Sequence, residues 1–448
     1  MKTILHSLLA LWLVMSLASC ASDTASDVPV PAEYTKAYLQ MKVTIAGNQG
    51  TRADNPLGGE DGNGREEGQE NENKLSSLAV LLYQSTKDAL SDEAAKIDYV
   101  YTFDGLTSST DANNKTTWQT GAREVDPAIV GKNYHVLVIA NTDDISALKG
   151  KTIADIRDKV MSKVCTRDDA DVSKFSDFVM SSSSDAKLDF SSGNGTEADP
   201  YVVSADIERL AARIDIIPNS GFTDNTYYYN VESASGKVIG GFKLESVVPT
   251  KVLNSGEYLI KRVSADAALS SLTYFGKETM DASSKKSTNY VVCPLTGKTT
   301  ARGDAQGSDA FYQVKDATYT DASSTSSTTS DKYFILDYLM ENTTTDNAEA
   351  YSTGLLFKGK YYEGSAWDAT NKKPVEGATA TDKEYTYVIR HSDPTGSGTI
   401  SAPMYYGMVR NNIYRIKIDG IQGTEPDGIK LTLNVVPWTR YEHEEVIY

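Results

Sequence analysis

The stretch from Tyr38 to Ala46 constrains the fold more than any other part of the sequence. Apolar residues alternate there with polar ones, a period of two that predicts a half-buried β-strand; the apolar set is Leu39, Met41, Val43 and Ile45. Thr51-Arg52-Ala53 follows, and then an acidic, glycine-rich run from Gly58 to Glu72. A strand that ends beside an arginine in a soluble linker predicts a temporary element, which completes a sheet until a protease removes it.

Length and composition favour an all-β protein. The chain has 448 residues, more than one hydrophobic core usually serves, so two domains are expected. Tyrosine is abundant, with 27 residues, and the aliphatic runs are short, which is typical of many exposed strands. The net charge of -17 argues against nucleic acid as a partner and is equally explained by simple solubility.

The first residues predict export rather than structure. Lys2 precedes an apolar run from Ile4 to Leu17 that is too short to span a membrane. Leu17-Ala18-Ser19-Cys20 then resembles the lipobox of bacterial lipoproteins, in which the cysteine is lipidated and becomes the first residue after cleavage. An ordinary signal peptide followed by a chance cysteine is the alternative. Acyl chains on Cys20 would anchor the precursor to a membrane.

The rest of the chain predicts short strands in two groups. Thr152 to Val164 is the exception, because Ile153, Ile156 and Val160 have helical spacing and Thr152 fits an N-cap. The expected division is a signal peptide at 1–19, a propeptide with the temporary strand at 20–52, and β-sandwiches at 53–219 and 220–428, followed by a C-terminal donor-strand segment at 429–448.

The sequence offers little support for catalysis or metal binding. His135, His391 and His443 stand apart, and no His-x-x-x-His or Cys-x-x-Cys pair occurs, so neither an enzyme, a metal site nor a cofactor is expected. Cys165 and Cys293 could pair or remain isolated thiols. Arg302-Gly303-Asp304 lies in a polar loop and could bind an integrin on a tight turn, although three-residue matches are common by chance.

Removing a strand from a sandwich would open a groove with two unpaired backbone edges, which a strand from another subunit could fill. The C-terminus offers such a strand, with an alternating apolar set of Leu431, Leu433 and Val435. One alternative stays open. The segment could be the last strand of its own domain, and the donor would then be the tail from Trp438 onward, with Tyr441, Val446 and Tyr448 as anchors.

The chain resembles the fimbrillins, the type V pilin family, and within it the major subunit of the shorter fimbriae. The resemblance covers nearly the whole chain and adds several stretches to the lipobox and to the strand ahead of Arg52. These stretches are Ile207 to Ile216, Tyr338 to Thr343, Gly407 to Tyr414 and Val435 to Trp438.

The resemblance implies two transthyretin-like β-sandwich domains and a lipoprotein precursor that is carried to the outer membrane. It also implies an Arg-specific surface protease that cuts between Arg52 and Ala53, with Arg65 as a weaker candidate because two glutamates follow it. The expected partners are further copies of the chain, anchor and tip subunits, and that protease. The expected location is a cell-surface fimbrium that supports adhesion.

The position in the filament follows from two features. An anchor subunit is expected to keep its first strand, and a tip subunit to lack a usable C-terminal donor. The presence of Arg52 and of the segment after Ile429 therefore favours a stalk subunit over a tip or anchor subunit. A surface glycan-binding lipoprotein is the alternative from another class, and tyrosine-rich loops leave it open.

Overall fold

The computed structural model describes most of the chain. The described residues are 36–45, 66–86, 92, 94–110, 116–142, 146–157, 160–161, 163–167, 171–182, 186–191, 193–218, 227–253, 256–257, 290–291, 313–314, 317–321, 332–342, 353–389 and 408–439. Within them the protein is nearly all β, with twenty-six strands that are numbered here in chain order. The predicted all-β class is confirmed.

Ten strands form the first sheet: β1 (Ala37–Ile45), β3 (Ser77–Tyr83), β4 (Ile97–Asp104), β5 (Thr107–Thr110), β6 (Thr116–Gln119), β7 (Arg123–Val125), β8 (His135–Ala140), β10 (Met180–Ser182), β11 (Ala186–Lys187) and β12 (Tyr201–Arg209). The hydrogen-bonded order is β4-β3-β8-β10-β12-β1-β6-β5, with β7 beside β1 and β11 beside β8. Strand β8 is buried throughout, as its continuous apolar sequence predicts for a strand inside a sheet.

Ten strands also form the second sheet: β2 (Glu66–Glu67), β13 (Ala211–Ile217), β14 (Tyr227–Glu232), β15 (Val238–Thr250), β19 (Thr320–Asp321), β20 (Lys332–Met340), β21 (Gly354–Glu363), β24 (Thr381–Val388), β25 (Asn412–Gln422) and β26 (Ile429–Thr439). The order is β19-β20-β13-β25-β14-β15-β21-β24, and β26 pairs with both β25 and β2.

Three strand pairs lie outside these sheets: β9 (Val160–Met161) with β17 (Gly256–Glu257), β16 (Val252–Leu253) with β18 (Tyr290–Val291), and β22 (Trp367–Asp368) with β23 (Lys373–Pro374). One short α-helix, α1 (Ile153–Arg157), is described, together with 3-10 turns at Asn71–Asn73, Pro127–Ile129, Ser146–Leu148, Val172–Lys174 and Gly364–Ala366.

The helix predicted from Thr152 to Val164 is wrong in its length. Its start is correct, because Thr152 Oγ1 accepts a hydrogen bond from Asp155 N at 3.1 Å and Asp155 Oδ2 accepts one from Thr152 N at 2.8 Å, which is a capping box. The helix ends at Arg157, and Val160 pairs instead with Glu257 of β17. The tertiary strand pairing overrides the helical spacing of Val160.

The two sheets change over at Leu210, between β12 and β13. Strand β13 pairs with β20 and β25 of the second sheet, although the predicted boundary at 219/220 assigns these residues to the first domain. The division into two domains remains a prediction.

Strands β13 and β20 are buried on both faces. Along β20, Phe334, Leu336 and Leu339 pack in the core of the second sheet, whereas Tyr333, Ile335 and Tyr338 join the core of the first. One face of the second sheet is therefore packed against the first sheet, and polar residues on that face are removed from water.

Candidate functional site

Strand β1 is held along both of its edges. It runs parallel to β12, with a register from Leu39↔Tyr201 to Ile45↔Ile207. On the other edge it runs antiparallel to β6 and β7. The strand that sequence alternation predicts as removable is thus an inner strand of the first sheet.

The four predicted apolar residues of this strand all face the core. Leu39, Met41, Val43 and Ile45 are each 0% exposed and belong to one hydrophobic cluster, together with Ala37. Gln40 and Lys42 are half-buried on the other face. Because both edges and one face of β1 are in use, its departure would leave two open backbone edges above an apolar floor.

The edge formed by β6 and β7 contains an irregularity opposite Met41. Lys42 pairs with Gln119 and Leu39 with Arg123, so two residues of β1 face three residues of the other strand. Such a mismatch is a β-bulge. Thr120 bridges it: its N–H donates to Met41 O at 3.0 Å, and its Oγ1 accepts from Met41 N at 3.0 Å.

Strand β26 has a different environment. It pairs antiparallel with β25 from Ile421↔Ile429 to Asn412↔Pro437, and its second partner among the described residues is β2, at Trp438 and Thr439 alone. Leu431 and Leu433 are only partly buried against the second core. Within the described part of the chain, β26 is therefore an edge strand with one ladder of hydrogen bonds over the predicted donor residues, including Val435.

The segment that follows the predicted propeptide lies between the two sheets. Glu72 is 0% exposed, and its carboxylate accepts hydrogen bonds from Arg213 Nη1 at 3.2 Å, from the Tyr338 hydroxyl and from Gln69 N at 2.6 Å. Arg209 Nε donates to Glu72 O at 3.1 Å, and Asn71 Nδ2 donates to Phe175 O at 2.7 Å. The turn at 71–73 thus contacts both halves of the described chain.

A second carboxylate balances the arginines of this interface. Asp215 accepts two hydrogen bonds from Arg213, each 2.8 Å long, and one from Arg415 Nη2 at 2.8 Å. The guanidinium carbon of Arg415 lies 4.1 Å from the centre of the Tyr333 ring, and that of Arg213 lies 5.4 Å from it. We call Glu72, Arg209, Arg213, Asp215, Tyr338 and Arg415 the interface cluster.

Burial and charge change the acidity of Tyr338 in this cluster. Removal from water raises the pKa of its hydroxyl well above 10, and the nearby charge of Glu72 raises it further. The hydroxyl therefore stays protonated at neutral pH and serves as a donor to the carboxylate of Glu72.

Three of the stretches that carry the family resemblance, 207–216, 338–343 and 407–414, meet around the interface cluster. Arg209 N donates to Asn411 Oδ1 at 3.4 Å, and Arg410 Nε donates to Glu341 Oε2 at 2.7 Å. Asn342 and Met408 exchange backbone hydrogen bonds. Sequence reasoning found these stretches but not the role of Glu72, which is one acidic residue in an acidic run and gives no signal of its own.

Several predicted site residues lie outside the described residues. They are Cys20, Arg52, Ala53, Arg65, Cys293, the Arg302-Gly303-Asp304 loop and the tail residues Tyr441, Val446 and Tyr448. Cys165 is buried. His135 is buried beside Tyr83, with Nε2 3.2 Å from Ser85 O, a structural environment.

The described residues contain no helix that is long and apolar enough to cross a membrane. Within the same residues, no three side chains of the metal-binding types come together as a possible site. The candidate functional site of the described residues is therefore the strand pairing of β1 and β26.

Comparison with protein families gives a match that includes β1 and its antiparallel neighbours β6 and β7. Residues 37–197 match the family described as "Major fimbrial subunit protein (FimA)". Over these residues, about a third of the chain, the sequence is similar to the major fimbrial subunit family. The resemblance drawn from the sequence is confirmed, and a structural subunit that assembles with other subunits into a cell-surface fimbria is the role that the family supports.

Solved structures with low sequence identity are similar to this chain over most of its length. A provisionally designated cell adhesion protein from Parabacteroides distasonis ATCC 8503 is 15% identical, with 90% of this chain and 100% of that chain covered and a TM-score of 0.43. A fimbrilin from Porphyromonas gingivalis W83 is 14% identical, with coverages of 91% and 99% and a TM-score of 0.40. Comparison with curated proteins finds no match.

Proposed function

We propose that this chain is a stalk subunit of a cell-surface fimbria that polymerises by strand exchange and so supports adhesion. The observation that carries the proposal is the position of β1. It is the first described strand of the chain, yet it is bonded on both edges and fills an apolar floor with five side chains that are 0% exposed. Its removal would leave a groove that strongly favours a new strand.

The free energies of apolar burial and of hydrogen bonding favour a new strand in the groove over an empty groove. Burial of an aliphatic side chain contributes about 1.5–3 kcal/mol as an upper range, and each ladder hydrogen bond adds roughly 1 kcal/mol. The apolar residues and two ladders of β1 together amount to a large share of a domain's net stability. A subunit that has lost β1 is thus unstable unless another strand enters.

The incoming strand is proposed to come from β26 of a second copy. A strand in this groove needs a free N–H along both edges, so proline is excluded from its interior. Pro426 and Pro437 delimit the stretch 427–436, which contains Ile429, Leu431, Leu433 and Val435 in alternation. The tail after Pro437 fits less well, because the set that contains Val446 and Tyr448 also contains Glu442 and Glu444.

The single ladder of β26 supports this choice. An edge strand leaves its own sheet by breaking hydrogen bonds with one neighbour, whereas β1 is bonded by two. The exchange would replace the partly exposed sites of Leu431 and Leu433 by fully buried ones. Apolar burial in the new groove then offsets the ladder that is lost with β25.

Processing and export complete the proposal. The precursor is lipidated at Cys20 and held in the outer membrane until an Arg-specific surface protease cuts after Arg52. Cleavage there releases β1, and the segment from Gln69 to Asn73 keeps the new N-terminal region attached to the interface cluster. Anchor and tip subunits are the other proposed partners, and no cofactor takes part.

Limited proteolysis of the precursor tests the proposal. Low-dose trypsin is expected to give a new N-terminus at Ala53, and electron microscopy of the product is expected to show filaments. Arg52→Ala should remain a monomer, with Arg65→Ala as the matched control that still assembles. A stable monomer that has been cut at Arg52 and still retains β1 would refute the proposal, and filaments from Arg52→Ala would refute this cleavage site.

A further inference from the structure

Thr120 makes an unusual contact with the strand in the groove. Along most of β1 the neighbouring partners are backbone groups of β6, β7 and β12. At Met41 the bulge displaces the backbone of the partner strand, and the acceptor for Met41 N is the side-chain hydroxyl of Thr120, at 3.0 Å. Thr120 is 3% exposed and Met41 0%, so water does not offer a substitute.

The second hydrogen-bond partner of the Thr120 hydroxyl determines that it acts as an acceptor toward β1. Thr120 Oγ1 donates its proton to Gly121 O at 2.9 Å, which leaves only its lone pairs for the strand in the groove. Thr120 also receives a side-chain contact, because Gln40 Nε2 donates to Thr120 O at 2.8 Å. The position therefore requires a backbone N–H from the occupant and disfavours both a carbonyl and a proline.

We propose that Thr120 sets the register of any strand in this groove, and that a second copy of this chain enters with Leu431 in the place of Met41. This inference rests on the proposed function, since it specifies how the exchanged strand is seated. N–H groups on one edge of a strand recur every second residue, so Thr120 selects which face of the incoming strand meets the floor. A slip by one residue would turn that face to solvent.

The residues around 429–435 restrict the register further. With Leu431 at the place of Met41, the residues Ile429, Leu433 and Val435 take the places of Leu39, Val43 and Ile45. A slip of two residues in one direction would put Asp427 at the fully buried place of Leu39. A slip of two in the other would put Pro437, which has no N–H, at the place of Ile45, the last residue of β1.

The resident strand gives the first test. In the uncleaved precursor, hydrogen exchange at the Met41 amide is measured for wild type, Thr120→Val and Thr120→Ser. Loss of the acceptor should speed exchange about tenfold in the valine variant, and serine, which keeps the oxygen, should preserve protection. Unchanged protection in Thr120→Val would overturn the assignment without touching the proposed strand exchange.

The incoming strand gives the second test. The precursor is cut in the presence of a synthetic peptide of residues 427–436, and the retained peptide is quantified. N-methylation at Leu431 should weaken retention about tenfold in wild type and have little further effect in Thr120→Val. N-methylation at Thr432, whose N–H would face β12, should reduce retention of the peptide equally in wild type and in Thr120→Val.

The outcomes separate the two proposals. Equal losses from N-methylation at Leu431 in both subunits would overturn the register while leaving strand exchange intact. Retention of neither this peptide nor a peptide of residues 37–45 would overturn strand exchange itself, and the register with it.

Discussion

Arg213 and Glu72 form an ion pair in which neither side chain is exposed to solvent, with 3.2 Å between Arg213 Nη1 and Glu72 Oε1. The two residues are 141 positions apart in the chain. Glu72 lies just after the proposed cleavage site, whereas Arg213 lies in β13 of the second sheet. This pair attaches the segment around Glu72, which would lie near the start of the proposed processed subunit, to the interface between the sheets.

Breaking this pair is expected to destabilise the whole subunit. Removing one partner of a buried pair typically costs about 3–5 kcal/mol, because the other charge is left without compensation. Arg213 keeps two hydrogen bonds to Asp215, so Glu72→Gln should cost about 3 kcal/mol, at the lower end of that range. The urea midpoint of the precursor measures this loss.

The matched control for Glu72→Gln is Asp382→Asn. Asp382 pairs with Lys360, but its side chain is 86% exposed, so solvent screens the interaction. Its urea midpoint should stay at the wild-type value. Equal midpoints for the two variants would contradict the structural role assigned to Glu72.

Alkaline pH is expected to weaken the fold through Tyr338. Burial and Glu72 raise the pKa of this tyrosine above its value of 10 in the unfolded chain. Its contribution to stability is thus fully present below pH 10 and is lost as the pH rises further, since only the unfolded chain then releases the proton.

The comparison with Tyr338→Phe isolates that effect. At pH 8 the variant should be less stable than wild type by about 1–2 kcal/mol, because the hydrogen bond to Glu72 is lost. At pH 11 wild type has lost about 1.4 kcal/mol through this group and the variant has not, so the difference should narrow. Urea unfolding at the two pH values measures both terms, and a difference that widens at pH 11 would contradict the sign.

If β1 is removed by cleavage, alanine variants of two equally buried leucines should differ in stability afterwards. Leu39 of β1 and Leu81 of β3 are both 0% exposed, so alanine at either position should cost the precursor about 3 kcal/mol. After cleavage at Arg52, the Leu39→Ala product should unfold like processed wild type, because residue 39 is gone. Leu81→Ala should stay destabilised. A Leu39→Ala product that keeps its defect would show that the strand is retained.

Strands with a regular alternation of apolar and polar residues could be predicted from the sequence. Contacts between residues that lie far apart in the chain could not. Strands β1, β25 and β26 follow from alternation alone. Arg213 and Asp215 alternate with Ile214 and Ile216, a pattern typical of a strand with one face in water, yet both charged residues are 0% exposed. Their burial depends on Glu72 and Arg415, which lie about 140 and 200 residues away in the chain, and no local pattern contains that information.

A substitution in the proposed donor segment is expected to give a subunit that folds but does not form filaments. Leu433 is only partly buried in its own sheet, so Leu433→Asp should fold. In the proposed exchange the aspartate would take the fully buried place of Val43, where an unpaired charge is strongly unfavourable. The processed variant should form no filaments by electron microscopy, whereas Lys430→Asp, at an exposed site, should assemble.

Mixing the Leu433→Asp variant with wild type sharpens this prediction, because its groove is unchanged. The variant should accept a strand from a wild-type subunit but offer none, and filaments should shorten as its fraction rises. A donor that begins only after Trp438 predicts the opposite result: normal filament lengths at every ratio, with length dependent instead on Val446 and Tyr448.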